Sequence, residues 1–307
     1  MPVPQSAICA EGESFAIFLT AMLRDGADAA ALLRGFAAGF AEMTAGTAKR
    51  LNEPTLVSAI GIGPAIWQRL CGDRRPGELS PFEFLADGAR SAPATPADLF
   101  VHIHSVRHDA NFALAREVIG ALGGAVRLVE EINGFKTAGG RDLTGFVDGT
   151  ENPKGEDRAA VALVGSEDPD FAGGSYINIQ RYVHDLTAWE GLGVVDQQAA
   201  IGRTKADDLE LADDVKPPSA HIARVVIEED GRELEILRHS LPYGTTSEHG
   251  LYFVAYGSSP TPFRKMLRRM VMDDAGAPHD RLLDFTRAVT GASFFAPSVD
   301  FLKFLGR

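Results

Sequence analysis

The chain has 307 residues, 45% of them hydrophobic and 23% charged, with a formal net charge of −12. That length suits two domains with a sizeable core, and the acidity argues against a nucleic-acid partner, which would call for a basic face. No apolar run reaches the roughly 18 residues of a membrane helix, the two cysteines (Cys9 and Cys71) form no disulfide framework, and MPVPQSAICAEGES lacks the pattern of an export signal, so a cytoplasmic protein is expected.

Residues 14–22, SFAIFLTAM, read as a strand. Residues 28–46 carry apolar side chains at helical spacing and end on Gly46, which suits a helix C-cap. TLVSAIGIG (55–63) and LFVHIHSVR (99–107) read as strands, NFALAREVIGAL (111–122) as a helix and AVRLVEEINGF (125–135) as a strand. The second half repeats the order. SYINIQRYVHDL (175–186) is a strand and TAWEGLGVVDQQAAIGR (187–203) helical; residues 223–241 read as two strands around a Glu-Asp-Gly turn. LYFVAYGSS (251–259) is a strand, and a helix starts at Pro262. The pattern repeats without the letters repeating, so an α+β architecture of two ferredoxin-like halves is expected, residues 1–140 and 141–307.

The linker between the halves, near 137–173, contains LTGFVDGTENP (143–153). Asp148 stands there between Gly145 and Gly149, with Thr150 and Asn152 just after it. Asp-Gly and Asn-Pro make a surface turn the plain reading. The sharper reading is backbone brought close to a ligand with one carboxylate aimed at it, since glycine has no Cβ. No GxGxxG, P-loop, HExxH or GxSxG pattern is present.

Of eight histidines, His102 and His104 share one face of a strand, as a metal pair or as plain core. His108 and His184 read as solvated. His221 follows the proline-rich turn of KPPSAHIARVVI at the mouth of a strand, a rigid approach that suits a ligand histidine or an ordinary strand entry. Farther on, Arg238 and Ser240 share a face, and His239 points the other way.

Taken together, GFVDGTENP (145–153), IGRTKADDLEL (201–211), KPPSAHIARVV (216–226), LRHSLPYG (237–244), GLYFVAYG (250–257) and LLDFTRAVTGASFFAPS (282–298) resemble the dye-decolourising peroxidases, a haem peroxidase family. The short insertions look like its B-type (P-type) subgroup. The resemblance implies one haem b in the C-terminal half, His221 as proximal iron ligand, and Asp148 and Arg238 as distal acid and arginine. Ser240 stands where many B-type members carry asparagine, a difference that bears on the distal water network. Asp284 would hydrogen-bond the proximal histidine. Phe253 would pack on the distal face; Arg203, Gly149, Thr150 and Asn152 would sit at the haem edge or its propionates. Trp67, Trp189 and the five tyrosines read as core rather than as electron relays.

The implied activity reduces hydrogen peroxide and oxidises dyes, phenols or other small reductants through a ferryl intermediate, with an acidic optimum for bulky dyes. The competing reading is a haem- or porphyrin-handling protein with incidental peroxidase activity, for which an acid–base group over the iron has no use. The family also implies self-association. The chain ends at FLKFLGR, soon after its last motif, and no encapsulin-loading tail is expected.

Overall fold

The computed structural model describes residues 2–11, 14–273 and 278–306. Strand β1 (Phe15–Leu23) has two buried faces: Ile17 and Leu19 join one apolar cluster, Ala16 and Phe18 another. Period-two geometry makes this division unavoidable once both sides of a sheet are covered. The first cluster lies under α1 (Ala27–Leu51) and α2 (His108–Leu122). In α1, Ala30, Leu33, Ala37, Phe40, Thr44 and Thr47 are all buried, a continuous stripe at helical spacing. With β2 (Val57–Ile62), β3 (Leu99–Ser105) and β4 (Val126–Phe135), the first half forms an antiparallel sheet in the order β4-β1-β3-β2.

The second half comprises β5 (Ser175–His184), α3 (Val194–Ile201), α4 (His221–Val225), β6 (Leu237–Arg238), β7 (Leu241–Gly244), β8 (His249–Gly257), α5 (Thr261–Val271), β9 (Thr286–Ala288), β10 (Ala292–Ala296) and α6 (Val299–Leu305). Its sheet runs β10-β5-β8-β7, the same ferredoxin-like permutation as in the first half. Strands β6 and β7 keep one register against β8, and β9 adds to β5. The sheets meet at both edges, through Tyr243 opposite Gly134 and Phe295 opposite Ile62, which closes a ring. Phe18, Phe100, Tyr252, Tyr256 and Phe294 fill its interior. The seam needs a bare backbone: a Cβ on Gly134 would lie 2.9 Å from Leu241 Cβ and 3.1 Å from Phe18 Cε2.

The halves differ in what covers their outer faces. In the first, the long helices α1 and α2 pack across the sheet. In the second, residues 185–236 hold only short helices, broken at Gly191, Gly193, Gly202, Pro217 and Pro218. They leave part of the sheet bare, and a cavity remains beneath α4 and α5. No described helix is long and apolar enough to cross a membrane.

Three elements depart from the sequence reading. Helix α1 passes Gly46 and ends at Leu51, where Asn52 adopts the left-handed conformation with φ 51°. The buried stripe outweighs a single glycine, and asparagine serves as the cap. The segment 187–203 is two helices, Leu186–Glu190 and α3, split at Gly191–Gly193. Residues 221–225 form a helical turn rather than a strand entry, and the hairpin shrinks to Glu228–Glu229 against Arg232–Glu233. The turn at Asp230-Gly231 keeps its two positive φ angles.

Two substitutions test this account. Gly46 is exposed in a helix interior with open space around it. Gly46→Ala should therefore raise the unfolding free energy by about 0.5–1 kcal/mol. Gly134→Val should lower it by about 1–3 kcal/mol through overpacking at the seam. Urea unfolding of both variants checks the pair of signs.

Candidate active site

His221 opens α4, delivered by Pro217 and Pro218 through an extended Ala220. Its Nδ1 lies 2.6 Å from Oδ2 of Asp280, which is fully buried. The second oxygen of Asp280 accepts the backbone N–H of Leu282 and caps the turn Arg281–Asp284. A carboxylate on Nδ1 places the imidazole proton there and leaves the Nε2 lone pair unshared. No hydrogen bond to Nε2 forms among the described residues, and His221 lines the apolar cavity.

This arrangement corrects one assignment. Asp284 does not meet His221; its Oδ1 lies 3.0 Å from Nε2 of His279. The two acids stand in one short stretch, but Asp280 sits at the N-cap of the turn and is carried inward, whereas Asp284 ends the turn on the outside. Asp280 was missed by sequence reasoning, though its N-cap position before an apolar pair was a usable signal.

From the sheet side, Arg238 and Ser240 line the cavity. His239 points into the ring and is 1% exposed. The backbone N–H of Val254 donates to Oγ of Ser240 at 3.3 Å. The loop 143–153 brings Asp148 to the same place, its Oδ1 3.7 Å from Nη1 of Arg238, an ion pair longer than a hydrogen bond. Gly145 (φ 86°) and Gly149 (φ 81°) bracket it in left-handed backbone, and a Cβ at Gly145 would strike Lys205 Cε at 2.6 Å.

Asn152 locks this loop to the strand. Its side chain donates to the carbonyl of Arg238 at 2.7 Å and accepts from the N–H of Arg238 at 2.9 Å. It therefore grips the backbone that carries Arg238 rather than reaching into the apolar cavity. Thr150 lines that cavity, but its hydroxyl donates to Asp208 at 2.6 Å. Arg203 also lines it, with its guanidinium divided between Asp208 and Glu151. Phe253 lines the cavity from β8 and packs on Phe263, ring centroids 5.8 Å apart.

The cavity holds further polar groups that the sequence did not reveal. His184 is half-buried there instead of solvated: Nδ1 meets Thr286 Oγ1 at 2.7 Å, and Nε2 is buried without a partner. Burial pushes its imidazole down to about 4. Gln180 accepts from the Tyr182 hydroxyl, while its own Nε2 is buried and unpartnered. Strand alternation on β5 sends all three into the cavity, a signal that was available but had no ligand to point to. A second, polar cavity reaches Asp148, Arg238 and Ser240 from another side, past Lys136, Arg141 and Lys154. The arrangement can hold a flat apolar group by an axial nitrogen and move a proton at its other face.

Asp142 completes the loop's electrostatics. Burial raises its carboxyl to about 6 despite donors from Thr144, and the charge of Asp148 adds to the rise. The folded chain favours the neutral acid, so the stability this acid contributes is full below the ordinary value of 3.8 and is lost as pH rises through about 6. Relative to Asp142→Asn, the wild type should lose stability between about pH 4 and about pH 7, which urea midpoints across that range will read.

Two family models match this chain. Residues 5–136 match the family model described as "Dyp-type peroxidase, N-terminal", and residues 139–301 that described as "Dyp-type peroxidase, C-terminal". A dye-decolorizing peroxidase of Mycolicibacterium paratuberculosis is 44% identical, over 98% of this chain and 85% of that protein. Among solved structures, a variant of Rhodococcus jostii RHA1 DypB in complex with heme superposes with TM-score 0.95 and 40% identity, covering 99% of both chains. An encapsulated DyP-type peroxidase from Mycobacterium smegmatis superposes with TM-score 0.95 and 41% identity, covering 99% of this chain and 98% of that one. With both halves matched by the two family models, the chain belongs to the Dyp-type peroxidase family.

Proposed function

We propose that this protein is a haem peroxidase that reduces hydrogen peroxide and oxidises small reductants, dyes and phenols among them. One observation carries the assignment of roles: an imidazole oriented by a buried carboxylate faces an apolar cavity whose sheet side presents Asp148 and Arg238. The residues fit haem b. The lining is largely aliphatic and aromatic, and the unpartnered nitrogens of Gln180 and His184 suit a cavity that takes up a group. Bound haem would supply an iron that takes peroxide as a ligand and passes its oxidising equivalents to the reductant.

The chain's own residues do the rest. His221 Nε2 would hold the iron, its lone pair left unshared. Asp280 holds its Nδ1 proton, which makes the imidazole a stronger donor and fixes its plane. Asp148 would take a proton from one oxygen of peroxide and return it to the other, which leaves as water. Arg238 supplies fixed positive charge toward the leaving oxygen and cannot itself serve as base. Ser240 is a polar contact on the same side. Asn152 positions Arg238 through its backbone. Arg203 could take a haem propionate only by exchanging the exposed Glu151 for it. The polar cavity past Lys136 and Lys154 suits entry of peroxide, a small polar molecule. The cysteines Cys9 and Cys71 are free, which suits a reducing cytoplasm. Exposed Val194, Val195 and Val215 suit contact between copies of the chain, which light scattering would measure.

On mixing with one equivalent of peroxide, Asp148→Asn should slow the change in the Soret band by about 10²–10⁴-fold. Arg238→Leu should slow it by about 10²–10³-fold, with haem still bound in both variants. Unchanged rates in both would remove the distal assignment. His221→Ala should abolish normal iron ligation. Asp280→Asn should raise the iron reduction potential and cut activity by about 10–100-fold, while Asp284→Asn leaves both near wild type. Potentiometric titration separates the two acids, and the reverse ranking would restore Asp284 as the partner.

A further inference from the structure

Behind Arg238 and Ser240, on the opposite face of the same strand, lies a cluster that this chemistry does not use. His239 meets His102 and His104 inside the ring, with ring centroids 5.6 Å and 5.4 Å away, and His102 and His104 are 4.8 Å apart. All three are 0–1% exposed. No group of ligating side chains among the described residues is arranged to hold a metal ion. His102 Nδ1 lies 3.0 Å from the phenolic oxygen of Tyr256, itself fully buried, and this is the phenol's one hydrogen bond among the described residues.

With the phenol as donor, its proton points at Nδ1 and the imidazole proton sits on Nε2. That Nε2 is buried with no hydrogen-bond partner. An orphaned N–H is costly in a core, and a core built only for stability would place Phe or Leu here. Burial and the neighbouring His104 and His239 hold the His102 imidazole well below its usual value, so it stays neutral and able to accept. The cluster also adjoins the proposed active site. Tyr256 follows Ala255, which pairs with Arg238, so one strand separates the phenol from the cavity wall.

We propose that Tyr256 is a one-electron redox site, with His102 Nδ1 as the acceptor of its phenolic proton. The oxidant is the peroxide-oxidised haem, so the proposal rests on the haem peroxidase reading. Tyr256 loses one electron to that centre, its O–H bond breaks, and the proton forms an N–H bond on His102. The products are a neutral tyrosyl radical, an imidazolium and a haem centre reduced by one electron. When a reductant returns an electron to the radical, the proton goes back. The forces that keep His102 neutral drive this return, which makes the site reversible.

The test is freeze-quench electron paramagnetic resonance on the holoenzyme after one equivalent of peroxide, with the Soret band followed in parallel. Wild type should give an organic radical whose signal narrows when the protein carries ring-deuterated tyrosine. The radical should show a hydrogen-bonded proton coupling that exchanges in D₂O. Tyr256→Phe, which keeps the ring and removes one oxygen, should lose the radical and keep the Soret response. His102→Phe should lose the exchangeable coupling and shorten the radical's life. A tyrosyl signal that survives Tyr256→Phe, or a Soret response with no tyrosyl radical, overturns the proposal and leaves the peroxidase reading standing. A Soret band that does not respond to peroxide overturns both.

Discussion

Everything at this site depends on the ring of strands having two buried faces. In an ordinary ferredoxin-like sheet one face packs on helices and the other meets solvent or a partner. Here the two sheets join at both edges, and the second face of each becomes a shared interior. Consecutive residues on one strand therefore enter unlike environments. Arg238 and Ser240 reach a cavity that can take a ligand, while His239 between them is sealed among aromatic rings. Period-two geometry does this sorting without any added loop.

The cavity is the negative of a missing helix layer. The first half covers its sheet with α1 and α2, whose apolar stripes pack on it. The second half uses the same strand order, but its first crossover is cut by glycine and proline into pieces too short to cover the sheet. The space left lies under the segment that ends in His221. The breaks in the crossover and the opening of the site have one cause.

The fold was legible because its strands alternate or run apolar over long stretches, as in residues 99–105 and 251–257. What misled were signals whose weight depends on tertiary contact. Gly46 looked like a stop, but the buried Thr44 and Thr47 carry the helix past it. Residues 223–226 have strand composition, yet the approach from Pro217 and Pro218 and the burial of Ile222 make a helical turn. Site residues were legible where the motif is local, as around Asp148. The partner of His221 was not, because 59 positions separate His221 from Asp280, and only the fold decides which of two nearby acids turns inward.

Three aspartates in this site show how little residue type alone can say. Asp280 is fully buried and spends its oxygens on a histidine and a backbone N–H, so it acts as a fixed acceptor. Asp142 is half-buried with Asp148 near it, and its carboxyl is raised to about 6. Asp148 faces open space beside Arg238 at 3.7 Å, close enough for the guanidinium charge to act and too far for a bond that would tie up its oxygens. A group that must take a proton and return it needs an uncommitted oxygen and a cation at a distance. Among the three, Asp148 has both, and the amide of Asn152 keeps that spacing by holding the backbone rather than the charge.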